Sequence, residues 1–320
     1  MLRTFHHRFR GLPTPMGGLA LGIGSLGWCM ENALPLHGWG QLTGAFLATF
    51  LLVLLAGRFL LHVDTLWRDL QHPVAGSIVP TFAMALMVIS RATLDAFPVF
   101  AETLWCVAVV LHLAALVFFL WFRSQENIMG NMVPSWFIPP VGIIVADVTF
   151  PGVPELRGMA TVLLTIGMAS YAVMLPVMMY RLIFHPEVPN AAKPTIAIMA
   201  APASLSLAGY LTVVKEPNLL LVAVLLGIAI LMTVAIYFAF WRLLRLQFSP
   251  GYAAFTFPMA IGATALYKTA NLVATYPGTE NYVTQLRFLA HVELAVATVV
   301  ILYVFVLYMK NLKAFMAPPA

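Results

Sequence analysis

The sequence predicts an all-α membrane protein of ten transmembrane helices, built as five repeated helical hairpins. Three observations predict it. Of 320 residues, 62% are hydrophobic and only 9% charged, where soluble domains carry about 25% charged residues. Ten apolar segments follow one another with short connections. A proline recurs in every second segment.

The segments run at about 15–31, 39–62, 74–94, 98–122, 134–150, 156–182, 194–214, 218–244, 252–272 and 284–310. A helix needs roughly 20 apolar residues to cross a bilayer, so these ten use nearly the whole chain. Residues 1–320 therefore read as one transmembrane domain, with short tails at about 1–12 and 311–320. The connections carry turn residues, as in Pro35-Leu36-His37-Gly38, Pro151-Gly152-Val153-Pro154 and Lys215-Glu216-Pro217-Asn218. Short connections make antiparallel neighbours.

Charge sets the orientation. With the N-terminus inside, 12 of the 17 Lys and Arg residues fall on one side and Arg91, Arg157, Lys215, Lys268 and Arg287 on the other. The positive-inside rule then puts both termini in the cytoplasm, as an even helix count requires. The net charge of +5 is spread singly over short loops, which speaks against a nucleic-acid partner. Arg3, His6, His7, Arg8 and Arg10 form a basic tail with no cleavage site after the first apolar run, so it reads as a cytoplasmic tail. Cys29 and Cys106 lie in apolar runs and imply neither a disulfide nor a metal site.

Odd and even segments differ in kind. Each odd one contains or begins with proline: Pro13 and Pro15, Pro80, Pro139 and Pro140, Pro202, Pro258. The even segments are longer and more uniformly aliphatic, with one internal proline, Pro176, near the end of the sixth. A period near 60 residues argues for a repeated hairpin. Proline removes a backbone donor, and in lipid the freed carbonyl must find a partner elsewhere. The expected architecture is an inner ring of five kinked helices around a pore, sheathed by five straight ones. Small residues crowd the inner set, from Gly17-Gly18 to Ser77, Ser204 and Gly262, and suit either close packing or a narrow aqueous path.

Ionisable residues at membrane depth are sparse. Glu31, Asp64, Asp95, Glu102 and Asp147 lie at or near segment ends, where snorkelling suffices. His112 stands alone and reads as structural. Lys268, late in the ninth segment, either attracts anions to the outer mouth or simply reaches the interface. Glu293 is expected to pair with a neighbour that the sequence does not name. There is no H-E-x-x-H, G-x-S-x-G or Walker-type loop and no metal-ligand spacing, so neither an enzyme nor a bound cofactor is expected. The acidic rings of a cation pathway are absent too, which leans towards anions or neutral solutes.

Four motifs carry a resemblance. They are Gly251-Tyr252-Ala253-Ala254-Phe255-Thr256-Phe257-Pro258 in segment nine, Gln71-His72-Pro73-Val74 followed by Pro80 in segment three, Leu175-Pro176-Val177 in segment six and Ala201-Pro202-Ala203-Ser204 in segment seven. Together they resemble the tellurite-resistance/dicarboxylate transporter family, which includes the bacterial TehA proteins, the plant guard-cell slow anion channel, the yeast malate permease and the sulfite efflux pump. The resemblance covers essentially the whole chain. It implies an inner (plasma) membrane homotrimer in which each protomer has its own pore for small anions, whether chloride, nitrate, sulfite, dicarboxylates or tellurite-type oxyanions. It also implies a phenylalanine plug at the second aromatic of the ninth-segment signature, here Phe257. Pore-lining or kink candidates are Pro15, Ser77, Pro80, Pro139, Pro202, Ser204, Phe255, Thr256 and Pro258. The chain departs from the TehA pattern in having Pro258 after the plug position and Leu175, not glutamate, before Pro176. A proton-coupled carrier of dicarboxylates or weak acids on the same fold is the alternative, and an intramembrane enzyme a more distant one.

Overall fold

The computed structural model describes residues 8–317, and among them every regular element is a helix. Arg3, His6 and His7 of the basic tail, and the last three residues, lie outside the described residues.

Ten helical runs coincide with the ten apolar segments: α1 (Met16–Met30), α2 (Trp39–Leu61), α3 (Pro73–Thr93), α4 (Pro98–Arg123), α5 (Pro134–Val148), α6 (Pro154–Phe184), α7 (Asn190–Val213), α8 (Leu219–Leu243), α9 (Thr256–Val273) and α10 (Glu280–Phe315). Seven are long and apolar enough to cross a membrane; α1 and α5 are shorter, and α9, which carries Lys268 and Asn271, is not among the seven. The protein is thus an all-helical, multi-pass membrane protein.

Local chemistry starts these helices where the turn residues fall. The His72 ring nitrogen Nδ1 accepts from the amides of Val74 and Ala75, both at 3.2 Å, while Pro73 fills a first-turn position that has no N–H to satisfy. Asn218 caps α8 by accepting from Leu220 and Leu221. Glu31, expected to reach solvent, instead turns its carboxylate onto the amides of Gly38, Gly40 and Gln41, and so caps α2. Gly38 makes the turn at φ +88°, where a side chain would be strained.

The prolines act as joints. Pro80 separates two α-helical pieces of α3, and Pro139 and Pro140 lie in α5, which alternates between 3-10 and α geometry. In α7 an eleven-residue 3-10 run, Asn190–Ala200, gives way to α-helix just before Pro202. Such runs rarely exceed about 4 residues. A 3-10 turn, Pro250–Phe255, likewise leads into α9, with Pro258 in its first turn.

Burial separates the two sets. In their most apolar stretches 72% of α3 and 78% of α7 are buried, against 28–39% of α2, α4, α6, α8 and α10. The even helices expose Phe46, Trp121, Phe238 and Val299, the apolar surface that a lipid environment covers. Contacts run α1–α3–α5–α7–α9 and back to α1, and each even helix packs on the odd helix before it and on the next odd helix in the cycle.

Two close contacts hold the start of this cycle. Arg58 at the end of α2 pairs with Asp69 at 2.6 Å, and the Thr14 hydroxyl donates to Asp69 while accepting from Arg58. Asp69 lies on a short amphipathic helix, Val63–Gln71, so this network ties the entry to α1 to two neighbours. Within the bilayer α1 and α2 meet backbone to backbone. A Cβ on Gly27 would collide with the Gly40 carbonyl and the Gly44 backbone, so only glycine permits this approach. Gly27→Val is expected to destabilise the protein by about 1–3 kcal/mol, the usual cost of forcing bulk into a packed contact. Thermal unfolding in detergent checks it, and an unchanged midpoint would contradict the packing.

Candidate functional site

Two cavities lie along the axis of the odd-helix cycle. The lower one, near the N-terminal ends of the odd helices, has a volume of about 60 Å³ and is lined among others by Pro15, Thr81, Phe137, Pro202 and Phe257. All five odd helices, or the turns leading into them, contribute to it, and no even helix does. The upper one, about 10 Å³, is lined by Ser25, Trp28, Thr149, Ile261, Thr264 and others. Phe257 is the one residue common to both linings. Its ring therefore stands between the two spaces and is 8% exposed.

The first turn of α9 fixes that ring's position. The Thr256 hydroxyl donates to the carbonyls of Ala253 (2.7 Å) and Gly18 (3.1 Å), bolting the turn to α1. Gly22 leaves room for this contact, since a Cβ there would overlap Thr256. Phe255 is fully buried in the opposite direction, edge-to-face on Phe240 at 5.5 Å and tilted on Tyr252 at 4.7 Å. Tyr252 and Tyr308 in turn donate to the carbonyls of Leu246 and Pro250, both at 2.5 Å. Of the two signature aromatics, one is locked into the packing and the other faces the cavities.

The remaining sequence candidates divide in the same way. Pro15, Pro202 and Pro258 line the lower cavity. Ser77 is buried with its hydroxyl on Val74 and Ser135, Ser204 bonds the Ala200 carbonyl, and Pro80 and Pro139 are buried outside both linings. The Pro139 carbonyl accepts from His112 Nε2 at 2.8 Å. Because a carbonyl only accepts, that nitrogen carries the proton, and His112 serves the packing of α4 on α5.

The linings hold no charged side chain. The hydroxyls of Thr81, Thr149 and Thr264 each donate to a carbonyl of their own helix. Positive charge is placed at the upper end: Lys268 Nζ lies 5.9 Å from the Trp28 ring, which lines the upper cavity, and Arg91 is near enough for its charge to act on Lys268. At the lower end, outside the spans, Asp64 pairs with Arg10 at 3.0 Å and Arg68 at 2.7 Å. Desolvation pushes its carboxyl up, but the two guanidinium groups together with His62 outweigh it and hold the pKa below the ordinary value.

Asp147 corrects a sequence expectation. Near a segment end it was expected to snorkel, but it is fully buried and neither carboxylate oxygen has a hydrogen-bond partner. Asp147 instead packs against α7, where a Cβ on Gly209 would come within 3.3 Å of the Asp147 Cβ; beside it the Trp105 indole donates to the Ala146 carbonyl at 3.0 Å, and its ring meets Phe150 edge-on. Its neighbours Val145, Val148 and Thr149 line the upper cavity. The carboxylate itself was visible in the sequence; its full burial was not. No group of three or more His, Cys, Asp or Glu residues suited to a metal occurs among the described residues.

Burying an unpartnered polar group costs about 1–3 kcal/mol. Asp147→Val, similar in volume and apolar, is therefore expected to raise the unfolding midpoint. A clear loss of stability would show that Asp147 has a partner in the folded protein.

The sequence model of a family described as voltage-dependent anion channel matches residues 12–309. Two uncharacterized transporters of Methanocaldococcus jannaschii are similar: one is 26% identical over 226 residues, covering 63% of this chain and 65% of the relative. The other is 27% identical over 228 residues, covering 64% and 67%. The chain thus spans about two thirds of the length of these relatives.

Proposed function

The chain belongs to the voltage-dependent anion channel family, and from that premise we propose that it carries small anions along the axis of its five odd helices, with Phe257 as the gate. The family match points to a channel or transporter and away from an enzyme. One observation carries the finer reading: two cavities, lined by the proline-bearing helices, share a single residue, and that residue is an aromatic ring.

The physics follows from that placement. An apolar ring across a tube of small residues excludes water and ions, and rotation about its side-chain bonds reopens the tube. The lining carries no fixed negative charge to repel an anion, and Lys268 with Arg91 raises anion concentration at the upper mouth. Selectivity then rests on diameter and helix-end dipoles. The contact cycle supports ten spans as five hairpins around a pore. With the charge bias of the loops, the lower end faces the cytoplasm and both termini with it. In keeping with the family resemblance, we take the protein to reside in the inner (plasma) membrane as a homotrimer with one path per protomer, chloride, nitrate, sulfite, dicarboxylates and tellurite-type oxyanions being the candidate permeants.

Liposome flux of chloride, nitrate, sulfite and malate, wild type against Phe257→Ala, tests the gate. A rise of at least about tenfold, equivalent to about 1.4 kcal/mol off the barrier, is expected in the variant, and the ranking of anions names the substrate class. If a folded, inserted Phe257→Ala protein carries nothing, the channel reading fails.

A second reading, a proton-coupled carrier on the same fold, draws on the buried and unpartnered Asp147 beside the upper cavity. Under that reading uptake of a weak acid accelerates with an imposed proton gradient, and Asp147→Asn abolishes the acceleration. Flux indifferent to the gradient leaves the channel.

A further inference from the structure

A second buried carboxylate lies behind the gate helix. Glu293 sits on α10, is 8% exposed, and its Oε2 has no hydrogen-bond partner. That oxygen is directed at Gly262 of α9, where a Cβ would overlap it. Gly262 stands between Ile261 and Thr264, both in the lining of the upper cavity, and just over one turn beyond Phe257. The missing side chain at 262 lets the carboxyl reach the backbone of the gate helix from behind.

The groups around it come from three other helices. Thr233 and Tyr237 approach from α8 and Cys29 from α1, and Tyr267 of α9 stands near Cys29. The hydroxyls of Tyr237 and Tyr267 also lack partners. Cys29 lies near Thr264, which lines the upper cavity, and so places the cluster beside the path. Charged groups that would neutralise a carboxylate stand apart. Lys268 on α9 is over Trp28, and Arg287 on α10 is exposed, its carbonyl bonded to Nδ1 of His291, whose ring meets Tyr267 edge-on. Neither α1 nor α8 brings a charged side chain to this depth.

A carboxylate in lipid without a cation or a full set of donors is costly, whereas the neutral acid is not. We propose that Glu293 is a proton-binding site that sets the charge beside the anion path. Protonated, it leaves the upper cavity free of negative charge. Its proton leaves to water at the upper mouth, and the resulting carboxylate stands about 10 Å from the axis, one helix width. At an effective dielectric of about 20, that charge lowers anion occupancy on the order of tenfold. Anion flux therefore rises in acid.

This rests on the anion-path reading, and the experiment separates the two. Nitrate flux through Phe257→Ala liposomes is followed from about pH 5 to about pH 9, the span over which buried glutamates titrate. It is expected to fall about tenfold towards alkaline pH, and Phe257→Ala combined with Glu293→Gln is expected to stay high throughout. An identical pH profile in the double variant overturns the proposal. Infrared titration of the purified wild-type protein gives a readout without flux: a protonated-carboxyl band lost in alkali and missing from Glu293→Gln supports the site. A band that survives the substitution unchanged overturns it, even if no anion flows. Should Glu293→Gln fail to fold, Glu293→Asp replaces it; a displaced pH midpoint supports the assignment, and an unmoved one overturns it.

Discussion

Hydrocarbon offers no hydrogen-bond partner, so every backbone group at membrane depth has to be satisfied within the protein. The distribution of proline in this chain is a response to that constraint. Each proline in an odd helix removes one donor, and the structure answers with 3-10 segments, short α-helical pieces and side-chain bonds such as that from His112 to Pro139. Those irregular stretches are then kept away from lipid by turning the odd helices inward. The outer helices, which meet lipid, run unbroken except for Pro176, in the third-last turn of α6. An interior surrounded by backbone irregularities and small side chains follows from where the prolines can be tolerated.

The interior so produced is electrically quiet. Its threonine hydroxyls are committed to their own helices, and its charges sit at the two ends. Under the proposed function, the barrier to an ion lies at the ring of Phe257, which borders both cavities. The anchoring of that ring is asymmetric. Thr256 and Phe255 hold the backbone to α1 and to α8, while the Phe257 side chain borders open space above and below. A fixed backbone that presents one ring to two cavities suits the gate proposed above. The family match makes an ion path the natural use of it.

Much of the architecture could be read from the sequence because its signals are one-dimensional. Segment length, the punctuation at Pro35–Gly38 and Lys215–Asn218, and the recurrence from Pro15 to Pro258 are properties of the chain alone. The short helix Val63–Gln71 was passed over, although Asp64 and Arg68, four residues apart and paired at 2.7 Å, were its signal. The 3-10 form of Asn190–Ala200 was not legible, because tighter winding there is set by neighbours that crowd it. Nor were the surroundings of Asp147 and Glu293. Both residues are ordinary acids in sequence, and only their packing, against Gly209 for Asp147 and at the gap of Gly262 for Glu293, makes them unusual.

The separation of the two helix sets has an evolutionary side. Residues that define the bore lie on odd helices, and those that meet lipid lie largely on even ones. Substitutions at Leu205 or Met84 alter the shape of the cavity without touching the surface read during membrane insertion, and exchanges at Phe238 or Val299 do the reverse. Two selective pressures thus act on two nearly disjoint sets of positions. A lineage built on this plan is free to drift in what it admits while its insertion into the bilayer stays fixed.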